Sequence, residues 1–145
     1  MNDDLKSSPR LIDFVCGWEK FSAKPYRDQG GLWTWGYGHL QKKGEALPVR
    51  INEQEGARLM AIDLMTAEKA VRTGAKVKLT QQQFDALVSL AFNCGQAAVL
   101  DSTLMGLLNQ GWVEKAVEQF ARWNKVRING ILTVSTGLTK RRAAE

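Results

Sequence analysis

Glu19, Asp28 and Thr34 stand close together in the stretch GWEKFSAKPYRDQGGLWTWGYGHL, residues 17–40. The aspartate follows the glutamate by nine positions and the threonine follows the aspartate by six. Two carboxylates whose surroundings drive their pKa values apart are a signature of glycosidic bond cleavage. If Glu19 closes a helix, it shares a face with Cys16, Val15 and Ile12, all apolar. Desolvation there disfavours the carboxylate and raises its pKa, as a general acid at neutral pH requires. Asp28 sits between Arg27 and a Gln29-Gly30-Gly31 turn. A neighbouring cation and exposed backbone amides keep such a group ionised, suited to act as base or electrostatic stabiliser. Thr34 is expected to face away from the flanking tryptophans, with a small hydroxyl able to hold a water or a sugar hydroxyl. Tyr26, Trp33 and Tyr37 are candidates for stacking on sugar rings. Each residue also has a structural reading. Glu19 could serve as a cap or pair with Lys20 or a distant arginine, Asp28 could simply make the turn, and the aromatics could be core.

The elements that must position these residues are punctuated in the sequence. Ser8-Pro9 is an N-cap followed by proline at the first helical position, which predicts a helix to about Lys20. Residues 25–40 are rich in glycine and aromatics and predict a hairpin around Gln29-Gly30-Gly31. Asn52 with Glu55 resembles a capping box and opens a single long helix to about Thr73, a strut between two lobes. Thr80 with Gln83 repeats the signal ahead of the stripe Phe84, Leu87, Val88 and Ala91. Shorter helices are expected over residues 102–109 and 112–123, the latter with Val113, Ala116, Val117, Phe120 and Trp123 at core spacing. A polar loop then precedes a basic helix from about Gly137. The class is α+β, a small antiparallel sheet lobe over about residues 20–50 and a mostly helical lobe over about 75–145, in a single domain of 145 residues.

Composition narrows the function. The sequence is 44% hydrophobic and 24% charged, ordinary for a globular domain. No run of 18 apolar residues exists, and the start MNDDLKSSPR has neither the basic nor the apolar region of an export signal. The expected site of synthesis and residence is therefore the cytoplasm. Cys16 and Cys94 are expected as buried free thiols, and with one histidine the chain offers no zinc spacing, so no metal or cofactor is expected. The net charge of +5 is uneven: residues 111–145 carry seven Lys/Arg against three Asp/Glu. That excess suits an anionic partner (a nucleic acid, a membrane surface or a wall polymer) or a merely solvated face.

Glu19, KFSAKPYRD with Asp28, and WTWGYGH with Thr34 resemble the catalytic segment of the phage lysozymes, the endolysins of the T-even and lambdoid phages. The resemblance continues through QFDALVSLAFNCG, STLMGLLNQG, EQFARWNK and GLTKRRAAE, from about residue 9 onward. It implies a lysozyme-like fold with the active-site cleft between two lobes. The implied activity is that of an inverting muramidase, which hydrolyses the β-1,4 bond from N-acetylmuramic acid to N-acetylglucosamine in peptidoglycan. By position Glu19 would be the acid, and Asp28 with Thr34 would hold and activate water. His39 of the GYGH motif would pair with Asp63 and join the lobes. In the cluster Lys140, Arg141 and Arg142, one arginine would reach a carboxylate at the active-site rim and the others would be solvated. The implied partner is the peptidoglycan glycan strand, with no nucleic acid and no stable membrane insertion. A monomer is expected, held in the host cytoplasm until a holin opens the way to the periplasm and wall. Trp35 and the segment VST depart from the family pattern, and the terminal helix is expected to be short. The rival reading is a non-catalytic basic envelope binder or membrane-disrupting protein working through its C-terminal helix. A transglycosylase would have no use for an Asp28–Thr34 pair.

Overall fold

The computed structural model describes all 145 residues, which fall into two compact units: Ser7–Thr66, and Met1–Lys6 with Ala67–Glu145. The first unit begins with α1 (Pro9–Trp18), whose N-cap Ser8 accepts the Leu11 amide at 3.1 Å and fixes the first turn. Helix α1 ends at Trp18, two residues earlier than the sequence suggests, and Glu19 is its extended C-cap, the amide donating to Val15 O. A three-stranded antiparallel sheet follows, with β1 (Ser22–Arg27), β2 (Trp33–Gly36) and β3 (His39–Leu40) in that spatial order. The register sets Tyr26 opposite Thr34, Arg27 opposite Trp33 and Trp35 opposite His39. The sheet packs on α2 (Glu53–Asp63), opened by Asn52, which accepts the Glu55 amide at 2.8 Å. Their approach is close because position 56 is glycine. A Cβ there would stand 3.0 Å from Phe21 and 3.1 Å from Tyr37.

The long helix expected over residues 52–73 is two helices. Helix α2 stops at Asp63, Leu64 lies between, and α3 (Met65–Gly74) begins immediately after. The boundary between the units falls within the first turn of α3. Leu64 is wholly buried, so this junction is held by packing, which a propensity pattern cannot register.

The second unit is built on α4 (Gln81–Cys94), whose capping box is complete: Thr80 Oγ1 accepts the Gln83 amide at 3.2 Å and Gln83 Oε1 accepts the Thr80 amide at 3.0 Å. Its stripe Phe84, Leu87, Val88 and Ala91 is buried. Helices α5 (Gln96–Leu100), α6 (Thr103–Asn109) and α7 (Val113–Gln119) follow, the last running into a 3-10 turn over Phe120–Arg122. The N-terminal residues are tied in by Asn2, whose amide donates to Val77 O and accepts from the Leu79 N–H, both at 2.9 Å. Helix α7 departs from expectation. Ala116 is buried, but Val117 is 59% exposed. Both line an apolar groove of about 530 Å³ with Leu87, Leu104 and Phe120, Ala116 on its buried side and Val117 at its open edge.

The segment expected as a loop before residue 137 is a second hairpin, β4 (Lys125–Ile128) and β5 (Ile131–Val134), turning at Asn129-Gly130 with both residues at positive φ. Asn-Gly is the dipeptide a two-residue hairpin turn favours, so the signal was present. The chain closes with α8 (Thr136–Ala144).

Candidate active site

Glu19, Asp28 and Thr34 all belong to the sheet-bearing unit. As the C-cap of α1, Glu19 departs from the helix, so the apolar face set out above applies only in part: Val15 is buried, while Ile12 and Cys16 are half-buried. Its carboxylate turns towards the β2–β3 connection, where a Cβ on Gly38 would stand 3.9 Å from Oε2. Gly38 has φ +80°, a conformation a side chain resists, so the connection passes bare beside the acid. The Glu19 carboxylate is also felt by Cys16, whose thiol is pushed up to about 11 by burial, then by Asp13 and Glu19. That thiol is protonated at neutral pH.

Asp28 opens the loop between β1 and β2. Its Oδ1 accepts the Leu32 amide at 2.8 Å, and its own amide donates to Leu32 O at 2.8 Å, so the carboxylate is pinned across the turn. The neighbouring cation is occupied elsewhere. Arg27 Nη1 donates to Gly31 O at 2.9 Å and the guanidinium lies 4.6 Å over Trp33. The contact to Asp28 therefore comes from a backbone amide, while Arg27 turns to Gly31 O and the Trp33 ring. Thr34 stands in the central strand, 3% exposed, with Oγ1 donating to Leu32 O at 3.2 Å. The Leu32 backbone thus meets both residues, its N–H donating to Asp28 and its carbonyl accepting from Thr34.

The three aromatic candidates differ. Tyr26 is 43% exposed on β1. Trp33 gives one face to Arg27. Tyr37 is packed against Phe21 with ring centroids 5.1 Å apart, so much of its ring serves the fold.

His39 is buried between two carboxylates. Nδ1 lies 2.8 Å from Asp63 Oδ2, and Nε2 lies 2.9 Å from Glu45 Oε1. Trp35 packs edge-on at 4.9 Å and closes the site. Glu45, six residues from His39, escaped the sequence reading because nothing in a loop pattern aims a side chain. Both carboxylates belong to the same unit as the histidine, so the bonds hold that unit together internally. Burial opposes charge on His39, but the hydrogen bonds and charges of Asp63 and Glu45 outweigh it and raise the imidazole above its ordinary 6.5. Glu45 is likewise opposed by burial, yet the Lys42 amide and His39 hold it below its ordinary 4.5.

The signs set a pH window. The His39 contribution to stability is complete below pH 6.5 and is lost as pH rises through the raised folded value. That of Glu45 is present above pH 4.5 and is lost as pH falls through its lowered value. Unfolding free energy is expected to peak between these limits and to decline on the alkaline side, a decline that His39→Gln abolishes. Urea unfolding from about pH 5 to 9 tests this, and a wild-type free energy that climbs with pH would refute it.

At the C-terminus the structure corrects the reading of the basic cluster. Lys140 is exposed, but Arg141 and Arg142 are each only 4% exposed. Arg142 Nη2 donates to Glu145 Oε1 at 2.7 Å, its Nε lies 2.6 Å from Oε2, and Nη1 donates to Cys94 Sγ at 2.9 Å and Trp123 O at 3.3 Å. Arg141 Nε lies 3.6 Å from the same carboxylate, and Ser89 Oγ donates to it at 2.6 Å. A terminal helix with two of its three cations turned inward is poorly made to act as a basic membrane-disrupting element.

An α+β fold in which the sheet holds one carboxylate in its loop and brings a glycine turn against another is that of a lysozyme-like glycosidase. Residues 16–145 match the phage lysozyme family. The endolysin of Acyrthosiphon pisum secondary endosymbiont phage 1 is 37% identical over 138 residues, 95% of this chain and 93% of that protein. The muramidase domain of SpmX from Asticaccaulis excentricus superposes with a TM-score of 0.86 at 30% identity, covering 97% of this chain and 94% of that one. An endolysin from Escherichia coli O157:H7 phage FAHEc1 gives 0.85 at 31%, covering 97% and 90%. The chain belongs to the phage lysozyme family, and it is a glycoside hydrolase of the bacterial cell wall.

Proposed function

We propose that this enzyme is an inverting muramidase acting on the β-1,4 bond between N-acetylmuramic acid and N-acetylglucosamine in peptidoglycan. Glu19 protonates the leaving glycosidic oxygen. Asp28 takes a proton from a water that Thr34 helps to hold, and that water attacks the anomeric carbon from the opposite face. One water is consumed, the glycosidic bond breaks, and the two carboxyl groups exchange protonation states before resetting through solvent. Tyr26 and the free face of Trp33 stack against sugar rings. The Asp63–His39–Glu45 cluster holds the sheet and α2 in register and has no part in the proton transfers. The enzyme works as a monomer, accumulates in the host cytoplasm and reaches the wall when a holin opens the membrane.

The observation that carries this reading is the contrast between the two carboxylates. Glu19 is a half-buried helix cap beside a bare glycine turn, and Asp28 is pinned by a backbone amide at 2.8 Å. An acid needs the first setting and a base the second. The test is proton NMR of purified peptidoglycan fragments during digestion. The first-formed reducing N-acetylmuramic acid is expected as the α-anomer, and Asp28→Asn is expected to slow its release about 100-fold or more. A β-anomer formed first would show retention, and 1,6-anhydro ends would show a transglycosylase.

A further inference from the structure

The hairpin β4–β5 is exposed on both faces and lies outside the catalytic apparatus. Ile128, Ile131, Leu132 and Val134 are 53%, 69%, 57% and 60% exposed. The pairing sorts its side chains. Val126, Thr133, Ile128 and Ile131 share one face, which carries no charge, while Lys125, Arg127, Leu132 and Val134 share the other. Scattered apolar residues on a surface need no explanation, but a contiguous exposed set marks an interaction site.

Charge around this apolar wedge is of one sign. From Gln119 to Ala144 the chain contains no Asp or Glu. With Arg141 and Arg142 committed to Glu145, the exposed cations of this stretch are Arg122, Lys125, Arg127 and Lys140. At the root of the hairpin, Arg122 and Lys125 line a groove of about 480 Å³ with Asn93, Trp123, Val126 and Leu138, again without a carboxylate. A hairpin with an uncharged aliphatic face and tip, above a root of cations and an amide, matches the layering of a bilayer surface: acyl chains beneath anionic headgroups.

We propose that this hairpin is a peripheral docking element for an anionic lipid surface. Ile128 and Ile131 seat below the headgroups, and Arg122 and Lys125 take a lipid phosphate in the groove. A carbohydrate wall polymer would satisfy the cations but would leave four aliphatic side chains in water. No helix of the chain is long and apolar enough to cross a membrane, so the association is adsorption and reverses with salt.

Co-sedimentation with vesicles of phosphatidylglycerol and phosphatidylcholine, beside vesicles of phosphatidylcholine alone, tests the proposal with the full chain. Binding to the anionic vesicles is expected to be at least about tenfold tighter, since each cation near such a surface adds about fivefold. The double variant Ile128→Ser/Ile131→Ser is expected to lose about tenfold or more of it, with thermal unfolding and wall hydrolysis unchanged. Arg122→Gln/Lys125→Gln is expected to lose a similar factor and most of the salt dependence. Absence of wild-type binding to anionic vesicles, equal binding by the isoleucine variant, or hairpin-dependent retention on purified wall or self-association without vesicle binding would each overturn it.

Discussion

Glu19→Gln is expected to leave the protein folded and its wall hydrolysis slowed by a factor of about 100 to 10,000, the range a general acid supplies. In energy this is about 3 to 5 kcal/mol of transition-state stabilisation. Glutamine keeps the size and the hydrogen-bonding reach of the side chain but has no proton to give to a leaving oxygen. The helix end should survive because its closing hydrogen bond is made by the backbone. The amide that closes α1 on Val15 O is present whatever the side chain. Clearance of a peptidoglycan suspension, followed beside the thermal melt, separates the two roles. A melting temperature close to wild type with activity lost assigns the acid, whereas activity within a few-fold of wild type would remove Glu19 from the chemistry. The asymmetry with Asp28 is informative. Asp28→Asn also disturbs the loop, since Oδ1 anchors the amide of Leu32, the residue whose carbonyl accepts from Thr34.

The largest effect on stability is expected from Glu145→Ala. The Glu145 side chain is fully buried and answers two guanidinium groups that are themselves nearly so. Removing it leaves two cations without their shared carboxylate, and breaking a buried pair from one side costs about 3 to 5 kcal/mol. For a domain of this size, that corresponds to a fall of roughly 6 to 20 °C in melting temperature. Glu145→Gln keeps an acceptor for Ser89 and should fall between. Lys140→Ala, one turn away but exposed, should change stability by less than about 0.5 kcal/mol. Because the pair is dry, raising salt should not mimic the mutation. Guanidinium is unsuited to that comparison, so urea or heat is the denaturant of choice. A Glu145→Ala variant as stable as Lys140→Ala would mean the arginines find other partners at no cost.

The candidate triplet was legible in one dimension. Glu19, Asp28 and Thr34 lie at the end of α1 and in the hairpin after it, so one unit of the fold holds all three. Ser8-Pro9, Asn52 and Thr80 announce helix starts because an N-cap satisfies amides only two or three residues away. Asn129-Gly130 is equally local, and the hairpin it turns could have been read from it. Its strands were passed over because both faces are exposed and no period-2 burial pattern marks them.

What only the tertiary structure decided has a common cause. Whether Arg141 and Arg142 are solvated or buried depends on Ser89, Cys94 and Trp123 arriving from distant parts of the chain. The second carboxylate on His39 depends on a loop folding back to aim Glu45. The break at Leu64 depends on packing that competes with helix propensity. The sequence by itself determined the class of fold, the helix starts and the candidate triplet, because hydrogen bonds between near neighbours need no other element present. Burial and charge pairing were decided in three dimensions, because desolvation is a property of everything that surrounds a group.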